Sequence, residues 1–235
     1  MARRPRVIIP GLAHHVTQAG NNHQEIFTYN DDRRLYLQLL ARYAQRYEVH
    51  ILAYCLMPDH VHLVVVPDHD FSLACLMGRT NTEYTMAWNR VERRSGHLWQ
   101  SRFRSCPVET AELPSVMRYV ERAPVRAGLE QNAWDYPWSS ARHHTLGPDS
   151  DTILHQGALR PLRDWDAPRW KELLSAQETP LDLEVVRCAT MTGRPLGSPA
   201  FIRQLEMETG LCLTSRPRGR PRKEVATGYC VFTQL

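Results

Sequence analysis

Residues 49–67 place two apolar, β-branched runs on either side of a three-residue turn. The runs are Val49-His-Ile-Leu-Ala-Tyr-Cys-Leu56 and His60-Val-His-Leu-Val-Val-Val66, and Met57-Pro-Asp59 joins them. Proline and aspartate turn the chain, and strands joined this tightly pair as an antiparallel hairpin. The rest of the chain therefore has to fit an antiparallel sheet. The second run opens with two imidazoles two residues apart. Side chains at i and i+2 of a strand share a face, so His60 and His62 can converge on one ion while Val61 points into the core. A divalent metal held this way could be set against a phosphate. Taken alone the pair is weak evidence. With 11 histidines in 235 residues, composition yields about half of one His-x-His by chance, and exposed or core histidines are commoner.

Other segments extend the frame. Residues 13–19 alternate as a strand, and Gly20-Asn21-Asn22 supplies a turn. Asn30-Asp31-Asp32 offers an N-cap to a helix carrying Leu35, Leu39, Leu40 and Tyr43. Ser72 caps a long helix reaching about Arg94, whose methionine and aromatic face reads as core. Residues 103–109 form a short strand in which Pro107 suggests an edge position. Thr110 then opens a helix with Leu113, Val116, Met117 and Val120 as its buried stripe, and Pro114 falls in its first turn. The resulting β-α-β-β-α-β-α order predicts an α+β fold of the ferredoxin-like split βαβ kind. Trp134-Asp-Tyr-Pro-Trp138 reads as a packing segment that closes this unit at about residue 147.

Beyond it the chain becomes charged and proline-punctuated. Helical patterns follow near 168–176, 180–192 and 198–209, within a helical region assigned to residues 148–213. Gly193-Arg-Pro-Leu-Gly-Ser198 separates the last two helices, so this pair is a candidate helix-turn-helix, although a plain helical hairpin is commoner. Residues 214–235 form a basic tail. Its Arg216-Pro-Arg-Gly-Arg-Pro-Arg-Lys223 is similar to an AT-hook core, in which arginines enter a narrow minor groove. A basic tail that simply tracks phosphates is the competing reading.

The 29 lysines and arginines against 25 acids give a net charge of +4. Arginine dominates, which suits phosphate contacts. Six scattered cysteines without a C-x-x-C pair argue against a zinc ribbon or a disulfide scaffold. No apolar run reaches membrane-spanning length, and the N-terminus lacks a signal-peptide core. A reduced cytoplasmic setting, close to the nucleoid, is expected.

The helix after Thr110 carries Tyr119 at the margin of its apolar stripe, and Arg122 lies one turn on. Most such tyrosines are packing residues. A phenol beside positive charge also suits a nucleophile. Four segments together, His14-His-Val-Thr-Gln18, Ala53-Tyr-Cys-Leu-Met-Pro-Asp-His-Val-His62, His97-Leu-Trp-Gln-Ser-Arg-Phe103 and Arg118-Tyr-Val-Glu-Arg-Ala-Pro-Val-Arg-Ala-Gly-Leu129, resemble the REP-associated tyrosine transposases. These belong to the single-tyrosine transposases with a His-hydrophobic-His motif, and the resemblance spans about residues 6–145.

That resemblance implies a metal-dependent enzyme acting on single-stranded DNA beside palindromic hairpins. Mg²⁺ or Mn²⁺ would be held by His60 and His62, and Tyr119 would form a 5′-phosphotyrosine. The family usually carries Asn four residues after the tyrosine as a further ligand, whereas this chain has Ala123. Arg122 is the expected partial substitute. Candidate DNA contacts are Arg3, Arg4, Asn21, Arg102, Arg104, Arg118 and Arg126, together with Arg218, Arg220 and Arg222 in the tail. A monomer and a dimer that swaps Tyr119 are both compatible with Pro124 just after the helix. Two alternatives are a relaxase or replication initiator with the same histidine pair, and a DNA-binding protein that has lost turnover through Ala123.

Overall fold

The computed structural model describes residues 6–147, 153–154 and 166–214. Arg3, Arg4 and the AT-hook-like segment with Arg218, Arg220 and Arg222 lie outside the described residues. One sheet of four strands, in the order β2-β3-β1-β4, organises the fold. The strands are β1 (Ala13–Ala19), β2 (Val49–Leu56), β3 (His60–Pro67) and β4 (Arg104–Val108), and every neighbouring pair is antiparallel. Helix α1 (Asn30–Arg46) joins β1 to β2, α2 (Ser72–Val91) joins β3 to β4, and α3 (Leu113–Glu121) follows β4. This is the expected α+β, ferredoxin-like arrangement.

Strand alternation divides the residues of the hairpin between two faces. Val61, Leu63 and Val65 face α1 and α2, where Tyr36, Leu40, Leu73, Leu76 and Tyr84 complete a fully buried layer. On the opposite face Ala53, Cys55, Val64 and Cys106 lie under Leu113, Val116, Met117 and Val120, the predicted stripe of α3. A bulge lies between Ile51, which pairs with Val65, and Ala53, which pairs with Val64. It places both Leu52 and Ala53 in the layer under α3.

The helix ends differ slightly from expectation. The Asp32 carboxylate accepts from the Tyr29 N–H at 2.7 Å, so Tyr29 is the N-cap and Asn30 is already helical. α2 stops at Val91, three residues early. Thr110–Glu112 form a 3₁₀ turn before α3, and a break at Arg122 starts the short α4 (Ala123–Arg126).

Both sheet edges are covered, as exposed edges invite pairing with other chains. Along β2, Leu56 N–H donates to the Trp138 carbonyl, Ser140 N–H donates to the Tyr54 carbonyl, and the Tyr136 hydroxyl donates to the Leu56 carbonyl. The tryptophan segment therefore does close that side. Pro107 sits on β4, an edge strand as predicted, and its carbonyl accepts from the Leu196 N–H at 2.8 Å. Leu196 also forms a parallel bridge with Val108.

The remaining helices are α5 (Ala141–Leu146), α6 (Ala167–Ser175), α7 (Pro180–Thr192) and α8 (Pro199–Thr209). Trp170 and Leu174 of α6 and Val186 of α7 join the apolar layer beneath α3. The glycine turn between α7 and α8 is thus built into the β4 edge. α8 instead packs Leu205 against Val7 and Leu213. None of the helices among the described residues is long and apolar enough to cross a membrane.

Candidate active site

The face of the sheet beneath α3 also carries the polar residues. β1 and β3 pair in a register that sets Thr17 opposite His62 and Ala19 opposite His60, while β2 sets Cys55 beside His62. These small neighbours leave room for two imidazoles on a packed sheet. The ring centroids of His60 and His62 lie 4.8 Å apart. His60 Nδ1 is 2.6 Å from Asp59 Oδ1, and His62 Nδ1 is 3.1 Å from His15 Nε2. His15 belongs to the same face of β1, stacks on His62 at 5.2 Å, and places its Nδ1 2.7 Å from the Thr190 hydroxyl of α7.

α3 brings Tyr119 to this cluster within a single chain. Its ring stands edge-on to both His15 and His62, with centroids 5.7 Å away in each case. The guanidinium of Arg126 covers the same ring at 4.2 Å. Arg126 is held in turn by Glu178, at 3.0 Å, and by the Tyr119 carbonyl. His15, His60, His62 and Tyr119 line a cavity of about 560 Å³ together with His23, Asp59, Arg102, Arg104, Arg187 and Thr190. A second cavity of about 620 Å³ shares Arg102, Arg104 and Thr190 with the first and adds Arg6, Phe103 and Arg194. In it the Arg6 guanidinium lies 3.7 Å above the Phe103 ring.

The electrostatics keep His15 and His62 uncharged. Burial holds the pKa of His15 down to about 3, with Arg126 adding to the effect. Burial likewise lowers His62 well below the usual histidine value, assisted by His60, His15 and Arg126. The Asp59 carboxyl is lowered, chiefly by its hydrogen bond to His60. Neutral imidazoles are the form that binds metal.

Among the described residues no group of three or more histidine, cysteine, aspartate or glutamate side chains gathers as a metal cage. The His60–His62 pair could offer a divalent ion a two-point donor set. Nδ1 of each ring is engaged by Asp59 or His15, which leaves Nε2 to face an ion, and such outer partners orient metal-bound histidines. Ala123 is buried with its methyl group in the apolar layer and offers no donor.

The predicted site residues separate into two groups. His60, His62, Tyr119, Arg102 and Arg104 line the cavity, and Arg126 lies against the tyrosine. Arg122 does not line it. Its guanidinium pairs with Glu178 at 3.1 Å and donates to the Leu174 carbonyl, because α6 and α7 pack against that side of α3. The expected substitution of Arg122 for a missing ligand is corrected accordingly, since Arg126 is the cation beside Tyr119. Arg118 donates to the Ala176 carbonyl at the end of α6, away from both cavities. Asn21 sits in a 3₁₀ turn near the rim, where its N–H donates to Leu98.

Sequence reasoning did not single out His15, Thr190, Arg187 or Glu178. A polar residue at an inward position of β1 was the available signal for His15. The other three depend on how α6 and α7 dock, which helical periodicity does not encode.

Residues 9–123 match the family described as IS200-like transposases. A Haemophilus influenzae protein assigned by name to the REP-associated tyrosine transposases is 27% identical, over 47% of this chain and 67% of its own length. The solved structure of a REP-associated tyrosine transposase bound to a REP hairpin superposes with a TM-score of 0.54 at 19% identity. It covers 67% of this chain and 96% of that one, and so shares the fold. A Deinococcus radiodurans protein solved as a transposase aligns at a TM-score of 0.36. Residues 9–123, which carry the sheet, the histidine pair and Tyr119, are thus the part of the chain that is similar to the IS200-like transposases.

Proposed function

We propose that this protein cuts and rejoins single-stranded DNA beside a short palindromic hairpin, with the Tyr119 hydroxyl as nucleophile. One observation carries the reading: within one chain, the Tyr119 ring meets the strand-borne histidines at the wall of a cavity rimmed by Arg102, Arg104 and Arg187. The relative solved with a REP hairpin supports the choice of substrate.

His60 and His62 would hold Mg²⁺ or Mn²⁺, and imidazole donors favour Mn²⁺. The ion would supply Lewis-acid polarisation of the scissile phosphate. Arg102, Arg104 and Arg187 attract and align the DNA backbone. Arg126 fixes the plane of the Tyr119 ring through the stack at 4.2 Å. The phenolic oxygen forms a bond to phosphorus and the bond to the 3′-oxygen breaks. The phenol gives up its proton, and the departing 3′-oxygen is protonated, leaving a 5′-phosphotyrosine and a free 3′-hydroxyl. Attack by a 3′-hydroxyl reverses the step and rejoins a strand without a nucleotide cofactor. Because Tyr119 meets the histidines of its own chain, the step needs no exchange of helices between subunits, and the setting we propose is cytoplasmic and nucleoid-associated.

A second reading is a DNA-binding protein that has lost turnover, and the buried, donor-free Ala123 favours it. Incubation with a hairpin oligonucleotide carrying a single-stranded flank and Mn²⁺ separates the two. The enzyme gives a covalent protein–DNA adduct that Tyr119→Phe abolishes. Tight binding without an adduct in the wild-type protein supports the binder.

A further inference from the structure

Behind the histidine pair, three buried groups from three elements are joined in series. The Thr190 hydroxyl donates to the Val186 carbonyl at 2.9 Å, one turn back in α7. The same oxygen lies 2.7 Å from His15 Nδ1, and His15 Nε2 lies 3.1 Å from His62 Nδ1. A threonine hydroxyl has one proton to give, and a neutral imidazole has one N–H. With the hydroxyl proton on the Val186 carbonyl, Thr190 Oγ1 can only accept from His15, so His15 Nδ1 carries the N–H. His15 Nε2 is then bare and accepts, His62 Nδ1 donates to it, and His62 Nε2 is left with a free lone pair. The opposite order, with Thr190 donating to His15, would put a proton on His62 Nε2 and block it as a ligand. The Cys106 thiol, 3.4 Å from Thr190 Oγ1, competes for the hydroxyl proton but is a weaker acceptor than a carbonyl. His15 and Thr190 are 1% and 2% exposed, so bulk water offers no other partner.

We propose that Thr190, acting through His15, sets the tautomer of His62 and leaves its Nε2 unprotonated toward the cavity. Thr190 and His15 are positioning residues. The inference deepens, and rests on, the reading of His60 and His62 as a ligand pair. Its consequence is that a residue of α7, outside the family-matched segment, tunes a donor on β3.

Two-bond ¹H–¹⁵N correlation spectra of the full-length protein without metal read each ring's tautomer directly. The expected wild-type spectrum shows His62 protonated on Nδ1 and bare on Nε2. Thr190→Val removes the hydroxyl at nearly constant volume. It is expected to mix or reverse the His15 and His62 tautomers and to weaken Mn²⁺ binding, followed by electron paramagnetic resonance, about 10–100-fold. Thr190→Ser restores both. A wild-type His62 carrying its proton on Nε2 overturns the proposal, as does Thr190→Val with an unchanged ring pattern. The wild-type spectrum decides the proton order even if the valine variant folds poorly. A wild-type protein with the expected ring order that takes up no Mn²⁺ upholds the relay and overturns the metal reading.

Discussion

The guanidinium of Arg126 serves two neighbours at once. It lies over the Tyr119 ring and shares the Glu178 carboxylate, 6% exposed, with Arg122. Arg126→Ala removes the platform that orients the phenol and leaves a buried carboxylate with one cation instead of two. Adduct formation should slow on the order of tenfold or more, since small misplacements of reacting groups are costly. Stability should fall by about 1–3 kcal/mol. Arg126→Lys, which keeps the charge without the planar stack, should recover more stability than rate. An adduct rate unchanged in both variants would remove Arg126 from the site. Gly20 makes a different point at this scale. A Cβ there would lie 2.4 Å from the Gln24 carbonyl oxygen and 2.7 Å from Ile26, while its N–H donates to the Asp59 carbonyl at 2.7 Å. Gly20→Ala should therefore cost about 1–3 kcal/mol by overpacking. Because Asp59 orients His60, it should also weaken Mn²⁺ uptake; wild-type melting behaviour would contradict this.

Helix α3, which delivers the nucleophile, is anchored from behind by Glu121. This fully buried carboxylate takes hydrogen bonds from Ser140, from His144 Nδ1 (2.6 Å apart) and from the Trp170 indole at 2.7 Å, tying α3 to α5 and α6. Trp170→Phe keeps most of the apolar contact and leaves Glu121 Oε2 without its donor. Denaturant unfolding should show a loss of about 1–3 kcal/mol, and a change too small to measure would mean that the anchor is not shared. Most elements were legible because their patterns are local: the hairpin turn at Met57-Pro58-Asp59, the stripe Leu113, Val116, Met117 and Val120, and Pro107 on an edge strand. The break at Arg122 was signalled by Pro124 just after the helix, whereas the docking of α6 and α7 behind it was not, because it joins segments far apart in the chain. The same docking commits Arg122 to Glu178, so its sequence position one turn after Tyr119 misrepresented its direction.

For the whole molecule, the buried histidines dictate a pH response. Burial lowers the pKa of His14 to about 4 and that of His15 to about 3. Both lie below the unfolded value of about 6.5, so the unfolded chain binds more protons as the pH falls through that window. Stability should be complete above about pH 6.5 and fall between there and about pH 4, by up to about 1.4 kcal/mol per pH unit for each histidine. His14→Gln should flatten part of this slope in urea titrations, and a level wild-type profile from pH 7 to 4 would refute the assignment. The meeting of Tyr119 with the histidines could be expected from the sequence only through resemblance. The cavity wall supplied by α7 could not, because Arg187 and Thr190 reach the histidine pair across more than 120 residues of chain.

The Leu196 bridge to Val108 has a practical corollary. A protein shortened after residue 147 would keep every element of the family-matched segment yet uncover the rim of β4, including the Pro107 carbonyl and the apolar layer that Trp170 and Val186 now seal. Such a fragment should self-associate through that bare strand, and light scattering against the intact protein would reveal it. The segment that looks dispensable by homology is what covers that edge.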